Sequence, residues 1–149
     1  DLTFGLGRNV LISYRYREGV SSIKELCFVL RDEYDVLVGV IRFWPILIGS
    51  RRLPGILLGP IGIHPIRQGE GFGEMLISKG IERAAKIGWS RAVLIGDEAY
   101  YGKFGFSKTV VKDISLSNNL SSDRLLGKEL KTGSLASEKG PLSKFSDFY

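Results

Sequence analysis

The sequence has very little of the two residue types that most often build covalent or metal-bound frameworks. Its 149 residues include one cysteine and one histidine. A single cysteine excludes an internal disulfide, and a single histidine argues against a histidine-based metal site, so we expect no metal. No apolar run approaches the ~20 residues that span a bilayer, and the first residues lack the basic-then-apolar pattern of a signal peptide. We therefore expect a cytoplasmic protein that makes no membrane contact.

The overall composition is typical of one globular domain. Hydrophobic residues make up 44% of the chain and charged residues 25%, which excludes intrinsic disorder of the whole chain. The length suits a single domain, which we predict over residues 1–149. The net charge of +5 favours anionic partners in general, but the basic residues are too evenly spread to indicate a nucleic-acid surface.

Hydrophobic patterning in the first half of the chain predicts several strands and one short helix. Apolar residues at helical spacing indicate an amphipathic helix over Arg8–Arg17. Strands are predicted at Leu26–Leu30, Val36–Trp44, Ile46–Ile48 and Ile56–Ile63. The first two form a hairpin, Pro45 ends the second, and Gly49–Gly55 is a loop. Gly59-Pro60 inside the last strand indicates a bulge or an edge.

The second half adds the clearest helix of the chain, so the whole is predicted to be a mixed α/β fold. The helix runs over Gly73–Ile87, with Gly88 where a helix C-cap belongs. A strand over Arg91–Ile95 and a helical turn over Ala99–Lys103 follow, and Phe104–Phe106 leads into a further strand. The remaining 43 residues hold nine serines and are predicted as loops with short strands.

Glycine is concentrated in the middle of the chain, where eleven of the 19 glycines fall between Gly55 and Gly105. The segment Gln68–Gly73 reads Gln-Gly-Glu-Gly-Phe-Gly and joins a long strand to the clearest helix. Glycines let the backbone approach a ligand closely, and the unpaired N–H groups at a helix start attract anions. The loop is therefore a candidate pyrophosphate site, although it has neither the dinucleotide spacing nor the Lys-Ser/Thr of a nucleotide P-loop. The alternative is a glycine-rich turn without a ligand.

Three segments carry motifs at a characteristic separation: Leu58–Pro65, Gln68–Gly73 and Tyr101–Phe106. Together they resemble the GCN5-related N-acetyltransferase (GNAT) superfamily. Gln68, Gly71 and Gly73 match its Q/R-x-x-G-x-G/A motif, and Tyr101–Phe106 matches its Y-x-K-x-G-F motif. The lead-in Gly96–Tyr101 is similar to a bacterial branch of predicted N-acetyltransferases. The resemblance covers about Leu26 to Phe106 and implies the GNAT fold, a mixed, mostly antiparallel sheet flanked by helices.

The resemblance also implies acetyl-CoA as co-substrate, with its pyrophosphate on the glycine loop and its pantetheine arm beside a strand that splays from its neighbour. That strand would offer free N–H and C=O groups, and the N–H of Ile63 would polarise the thioester carbonyl. The cofactor-binding residues implied in this way are Ile61, Gly62, Ile63, Gln68, Gly69, Glu70, Gly71, Phe72, Gly73 and Tyr101.

Tyr101 matches the tyrosine that protonates the departing CoA thiolate in the superfamily. A phenol with a pKa of about 10 can lend its proton to a thiolate with a pKa of about 8.5. Without the motif, Tyr101 would be interpreted as a core aromatic residue among Tyr100, Phe104 and Phe106. Tyr100 is the neighbour that could be mistaken for it.

The residue that takes the proton of the attacking amine is not defined by a motif. His64 has a suitable ordinary pKa and follows the cofactor strand, but it also lies at the start of a turn. Glu33, Asp97 and Glu98 are carboxylate alternatives, and a water relay needs no single base.

Two further side chains have both a functional and a structural interpretation. Cys27 lies between apolar neighbours and is predicted to be a buried structural thiol, since no base that would activate it is visible. Trp44 ends a hairpin strand, where it either faces the acceptor site or belongs to a satellite core cluster. Arg51 and Arg52 are predicted to be a solvated basic pair.

The resemblance implies direct acetyl transfer to a primary amine in a ternary complex, in which positioning supplies much of the rate. The acceptor would be a small-molecule amine or a peptide or protein amine, with no nucleic-acid partner, and a homodimer fits the superfamily. One alternative is a non-catalytic acetyl-CoA sensor or regulatory module. The other is a nucleic-acid-associated protein, for which no basic stripe with interleaved aromatics is present. Because only about 25 residues precede Leu26, we expect the first strand of the superfamily to be missing.

Overall fold

The computed structural model describes residues 3–4, 15–116 and 121–145, and this part of the chain contains eight strands and two named α-helices. The strands are β1 (Thr3–Phe4), β2 (Phe28–Arg31), β3 (Leu37–Ile48), β4 (Leu53–Ile63), β5 (Arg91–Ile95), β6 (Ile114–Ser115), β7 (Leu125–Glu129) and β8 (Gly140–Lys144). The helices are α1 (Phe72–Lys86) and α2 (Glu98–Tyr101). Short 3₁₀ turns lie at Lys24–Leu26, Pro65–Arg67, Gly102–Phe104 and Thr109–Val111.

The eight strands join one sheet, which is mixed and mostly antiparallel as predicted. Its order is β6-β8-β3-β4-β5-β7, with β2 on the free edge of β3 and β1 on β4. Two neighbouring pairs are parallel, β4 with β5 and β6 with β8, and the remaining pairs are antiparallel. We expected the first strand of the superfamily to be missing. A two-residue strand, β1, does precede the hairpin, and it pairs with β4 rather than with β2.

The prediction that Pro45 ends the second strand of the hairpin is wrong, because β3 continues through Pro45 to Ile48. The backbone carbonyl of Phe43 accepts a hydrogen bond from the N–H of Ile23, on the edge that faces away from β4. Pro45, two residues further on, turns its nitrogen to the same edge, and the pairing of β3 with β8 begins only at Ile46. The missing N–H therefore interrupts no ladder, which is where a strand tolerates proline.

The predicted bulge at Gly59-Pro60 is confirmed. Ile41 pairs with Ile61 and Phe43 pairs with Leu58, so Arg42 alone stands opposite two residues of β4. The Gly59–Pro60 peptide bond is cis, and Gly59 has a φ of 136°. An extra residue in one strand bends that strand and increases its twist locally.

Several other predicted boundaries shift. Leu26 belongs to a 3₁₀ turn and β2 starts at Phe28, while β4 starts at Leu53, so the predicted loop Gly49–Gly55 is shorter. The prediction of a strand directly after Phe106 is wrong, because only an isolated bridge between Ser107 and Gly127 forms there. The helix predicted over Arg8–Arg17 is helical at residues 15–17, and its earlier residues lie outside the described part.

Arg51 is exposed, as predicted, but its side chain also forms an ion pair. Its guanidinium, at the exposed β3–β4 turn, pairs with the carboxylate of Glu138, which is 8% exposed. The hydrogen bond from Arg51 is the main cause that holds the pKa of Glu138 below its ordinary value. The pair fastens this turn to the segment that leads into β8.

Helix α1 covers one face of the sheet, and its close approach to the sheet depends on a glycine. Leu76, Ile77, Gly80 and Ala84 form its buried face. A Cβ at Gly80 would lie 2.5 Å from Cε1 and 2.7 Å from Cζ of Phe43, so the helix backbone rests directly on that ring. A second core cluster, which includes Ile46, Leu57 and Val93, fills the opposite face. Within residues 3–4, 15–116 and 121–145, no helix combines the length and apolar character needed to cross a membrane.

We expect Gly80→Ala to lower the free energy of unfolding by about 1–3 kcal/mol, because the added methyl group overpacks the contact with Phe43. The gain in helix propensity of up to about 1 kcal/mol offsets only part of this loss. Urea denaturation is the measurement, and Ser78→Ala, at an exposed position of the same helix, is the matched control. A Gly80→Ala variant as stable as the parent would contradict the packing argument.

Candidate functional site

The glycine loop before α1 forms an open cradle. Gly69 and Gly71 have φ values of 86° and 83°, which side chains of L-residues rarely adopt. Gly71 is the N-cap of the fifteen-residue helix α1. Apart from the adjacent residues, no atom of the described part of the chain lies within 4 Å of a Cβ built on either glycine, so the side on which a side chain would stand is open there. The loop therefore presents backbone rather than side chains in front of a helix start, which is the arrangement that binds anions.

A cavity of about 370 Å³ lies in front of this cradle. It brings together six of the residues predicted to bind the cofactor: Ile63, Gln68, Gly69, Gly71, Phe72 and Gly73. Four predicted residues do not line this cavity: Ile61, Gly62, Glu70 and Tyr101. Tyr100, Arg67, Glu74 and Lys103 complete its wall.

Two cations stand at the cavity and are held by carboxylates. Arg67 Nε lies 2.9 Å from Glu70 Oε2 and its Nη1 lies 3.4 Å from Asp32 Oδ2. The hydrogen bond to Glu70 is the main cause that raises the pKa of Arg67. The guanidinium carbon also lies 5.0 Å from the centre of the Phe72 ring.

Lys103 occupies the other side of the cavity. Its Nζ lies 3.6 Å from Glu74 Oε1 and 4.3 Å from the centre of the Tyr100 ring. Sequence reasoning gave neither Arg67 nor Lys103 a role. Only their positions in the sequence could have indicated a role. Arg67 directly precedes the glycine loop, and Lys103 lies inside the Tyr101–Phe106 motif.

Strands β4 and β5 part beside the cavity. Their parallel pairing covers Ile56 with Ala92 and Leu57 with Val93, whereas β4 continues to Ile63. The strand thus leaves its neighbour directly before the bulge at Gly59-Pro60. This separation agrees with the splay that the resemblance implied.

The expectation that the splayed edge is free is wrong at Gly62 and Ile63. Thr3 pairs with Ile63 and Phe4 pairs with Gly62 in an antiparallel register. His64 donates its N–H to the carbonyl of Val38 in β3 at 2.8 Å. Because alternate residues of a strand turn their backbone groups to opposite edges, the N–H of Ile63 points away from β3, to the edge that β1 occupies.

The two tyrosines of α2 take different positions. Tyr101 packs at the end of β5, where a Cβ at Gly96 would lie 2.6 Å from its Cε2. The hydroxyl of Tyr100 lies 3.5 Å from a Cβ built on Gly73 and faces the cavity. The rings meet edge to face with centroids 4.9 Å apart. Burial is the main cause that raises the pKa of each phenol, so both keep their protons at neutral pH.

The candidates for the base make structural hydrogen bonds. His64 Nδ1 accepts from the N–H of Ile66 at 3.3 Å and caps a 3₁₀ turn. Asp97 Oδ1 accepts from the N–H of Ala99 at 3.2 Å, which caps α2. Glu98 Oε2 accepts from the N–H of Lys108 at 2.9 Å, and Glu33 is exposed.

Cys27 and Trp44, for which both a functional and a structural role were considered, each make contacts within the protein. Cys27 is partly buried, and its thiol donates to the carbonyl of Ile23 at 3.2 Å, in keeping with a structural role. Trp44 packs against the core cluster on the sheet face away from α1. Across the described ranges, no three His, Cys, Asp or Glu side chains are grouped closely enough to hold a metal ion.

The model of the acetyltransferase (GNAT) family matches residues 8–106, so the chain belongs to this family. A curated relative, the uncharacterized N-acetyltransferase YhbS of Escherichia coli strain K12, is 25% identical over 89 residues. That match covers 60% of this chain and 53% of the relative, so the chain matches about half the length of its curated relatives.

Two solved structures share the fold. Escherichia coli YhbS in complex with CoA has a TM-score of 0.73 at 16% identity, over 99% of this chain and 91% of that one. A GNAT family acetyltransferase from Brucella melitensis in complex with acetyl-CoA has a TM-score of 0.65 at 26% identity. The second match covers 97% of this chain and 81% of the other.

Proposed function

We propose that this chain is a single-domain N-acetyltransferase that transfers the acetyl group of acetyl-CoA to a primary amine, by direct attack in a ternary complex. The observation that carries the proposal is the open cradle at Gly69 and Gly71, beside the point where β4 leaves β5. The acetyl-CoA complex of the Brucella melitensis relative supports the choice of co-substrate. The acceptor is a small-molecule amine or a peptide or protein amine.

The cradle fits a pyrophosphate group. Backbone N–H groups of Gly69 to Gly73 would donate to its oxygens, and the start of α1 adds a partial positive charge. A Cβ at Gly71 would stand in the open space that the phosphates need. Arg67 and Lys103 add two cations at the same cavity.

The pantetheine arm would take the edge of β4 from Ile61 to Ile63. The N–H of Ile63, which points to that edge, would donate to the thioester oxygen and stabilise developing negative charge there. Residues Thr3 and Phe4 pair with the same edge, so we propose that the arm displaces β1 when it binds.

Acetyl-CoA supplies an activated thioester, and the residues of this chain position it and move protons. In our proposal Tyr101 is the general acid that protonates the departing thiolate. It lies at the end of β5, next to Gly96, and its raised pKa keeps the proton available at neutral pH. The amine proton would leave through water, because hydrogen bonds from backbone N–H groups already engage His64, Asp97 and Glu98.

A non-catalytic acetyl-CoA-binding module is the second candidate. It is favoured by the position of Tyr100, rather than Tyr101, on the cavity wall. This candidate predicts binding of acetyl-CoA without amine-dependent release of CoA.

We expect acetyl-CoA and CoA to raise the melting temperature, since a ligand at a hundredfold excess over Kd stabilises by about 2.7 kcal/mol. Gly71→Ala should weaken binding about tenfold or more, because the new methyl group enters the cradle and φ is unfavourable. Gly133→Ala is the matched control, since Gly133 has the same φ of 83°, the same open surroundings and a distant position. A parent protein that gives no shift at millimolar acetyl-CoA would contradict the proposal.

Removing residues 1–4 should tighten acetyl-CoA binding roughly tenfold, because the arm no longer competes with one or two backbone hydrogen bonds of β1. Calorimetric titration of the parent and the shortened chain measures the difference. A thermal melt without ligand shows whether the shortened chain is folded. Equal or weaker affinity in a folded shortened chain would mean that β1 and the arm do not share an edge.

Tyr101→Phe should lower kcat by about 10²–10⁴, the usual contribution of a general acid, and leave the Kd of acetyl-CoA within about twofold. CoA release detected with a thiol reagent is the measurement. Because burial raises the pKa of Tyr101, the parent rate should not fall through loss of this proton below about pH 10. Tyr34→Phe, at a residue that is 79% exposed, is the control. An unchanged kcat in Tyr101→Phe would remove this residue from the mechanism.

A further inference from the structure

Arg42 projects from the sheet face that α1 leaves uncovered. The Phe43 ring lies under Gly80 of α1. Because successive side chains of a strand point to opposite faces, Arg42 and Trp44 point to the other face. Trp44 packs against the core cluster of that face, and Arg42 is exposed.

The charge of Arg42 is not balanced by any described residue. Arg31, Arg51 and Arg67 each pair with a carboxylate, and Arg91 donates to two backbone carbonyls. Arg42, in contrast, forms no ion pair or side-chain hydrogen bond with the described part of the chain.

The position of Arg42 is close to the proposed reaction centre. It stands opposite the bulge at Gly59-Pro60, one residue after the pair formed by Ile41 and Ile61. Val40, two residues before Arg42 and on the same face, pairs with Gly62. At about 3.3 Å per residue, Arg42 is thus about 7 Å along the strand from the segment that would hold the thioester.

An aromatic ring of fixed orientation lies next to this cation. The indole N–H of Trp44 donates to the carbonyl of Gly59, in the bulge, at 2.6 Å. The guanidinium carbon of Arg17 lies 5.6 Å from the centre of the Trp44 ring. Trp44, two residues after Arg42 on the same face, is thus held in place by its hydrogen bond to the bulge.

We propose that Arg42 binds an anionic group of the acceptor, a carboxylate or a phosphate, so that the acceptors are amines that also carry a negative charge. This inference rests on the proposed acetyltransferase function. A guanidinium donates two parallel hydrogen bonds to such a group and fixes its orientation. The acceptor amine is then directed along β3 towards Ile61–Ile63, and the flat face of Trp44 is left to contact its apolar part.

The test uses pairs of amines that differ only in the anion: tyramine and tyrosine, tryptamine and tryptophan, ethanolamine and O-phosphoethanolamine. With acetyl-CoA present, we expect kcat/KM to be about ten- to a hundredfold higher for the anionic member of at least one pair. Arg42→Gln should abolish this preference through KM, while the rate with the neutral member and the Kd of acetyl-CoA stay unchanged. Arg42→Lys should retain part of it. Arg83→Gln, at an exposed residue of α1, is the control.

The possible failures are distinguishable. If CoA is released equally fast with both members of every pair, or if Arg42→Gln keeps the preference, the inference about Arg42 is overturned and the acetyltransferase function stands. If acetyl-CoA gives no thermal shift and no amine releases CoA, the proposed function fails, and the inference fails with it. If acetyl-CoA binds without turnover, thermal-shift titration with N-acetyltyrosine and N-acetyltyramine decides, and equal binding of the two would overturn the inference.

Discussion

Strand β4 pairs with β5 at only two residue pairs, and the candidate site depends on the separation of the two strands after Leu57. The extra residue at Gly59-Pro60 follows directly, and it lies where the two strands part. Beyond it, β4 has β3 on one side and a backbone edge on the other that must still find hydrogen-bond partners. The glycine cradle, the cavity and α2 are arranged around this opening. A β4 that stayed paired with β5 to its end would close it.

The charges at the cavity show how the loop holds its shape without a ligand. Asp32 and Glu70 engage Arg67 from one side, and Glu74 engages Lys103 from the other. The pair of Lys103 with Glu74 is about half exposed on both sides, and pairs of this kind contribute little to stability. The pair of Arg67 with Asp32 is more buried. The three carboxylates supply the negative charge that balances the two cations at the cavity.

Sequence reasoning succeeded where one local signal determines the structure. The predicted strand Arg91–Ile95 matches β5 residue for residue, and α1 was placed within one residue at each end, because an apolar run and a helical period are local patterns. The bulge followed from a Gly-Pro pair inside an apolar strand. The predictions that failed concern features that depend on residues far away in the sequence. Pro45 is tolerated because β8 ends opposite Ile46, and no local pattern carries that information.

The same limit applies to the site. The loop residues Gln68–Gly73 could be identified because glycine spacing and the start of a helix are visible in the sequence. Whether Tyr100 or Tyr101 faces the cavity depends on how α2 rests on β5, and one residue of helix rotation changes the answer. Likewise, the family resemblance described a free edge on β4, and only the three-dimensional pairing reveals that Thr3 and Phe4 lie on it.

Backbone pairing along the edge of β4 has a quantitative consequence for any ligand that needs the backbone groups of Ile63. Hydrogen bonds between backbone groups depend little on the identity of the side chains. Whether β1 or a ligand occupies the edge is therefore set by their effective concentrations at the edge. A tethered segment competes at an effective concentration that reaches the millimolar range for short flexible tethers. The apparent dissociation constant of the ligand is then multiplied by one plus the equilibrium constant for strand docking. Docking of β1 would thus lower ligand affinity without any change in the groups that touch the ligand.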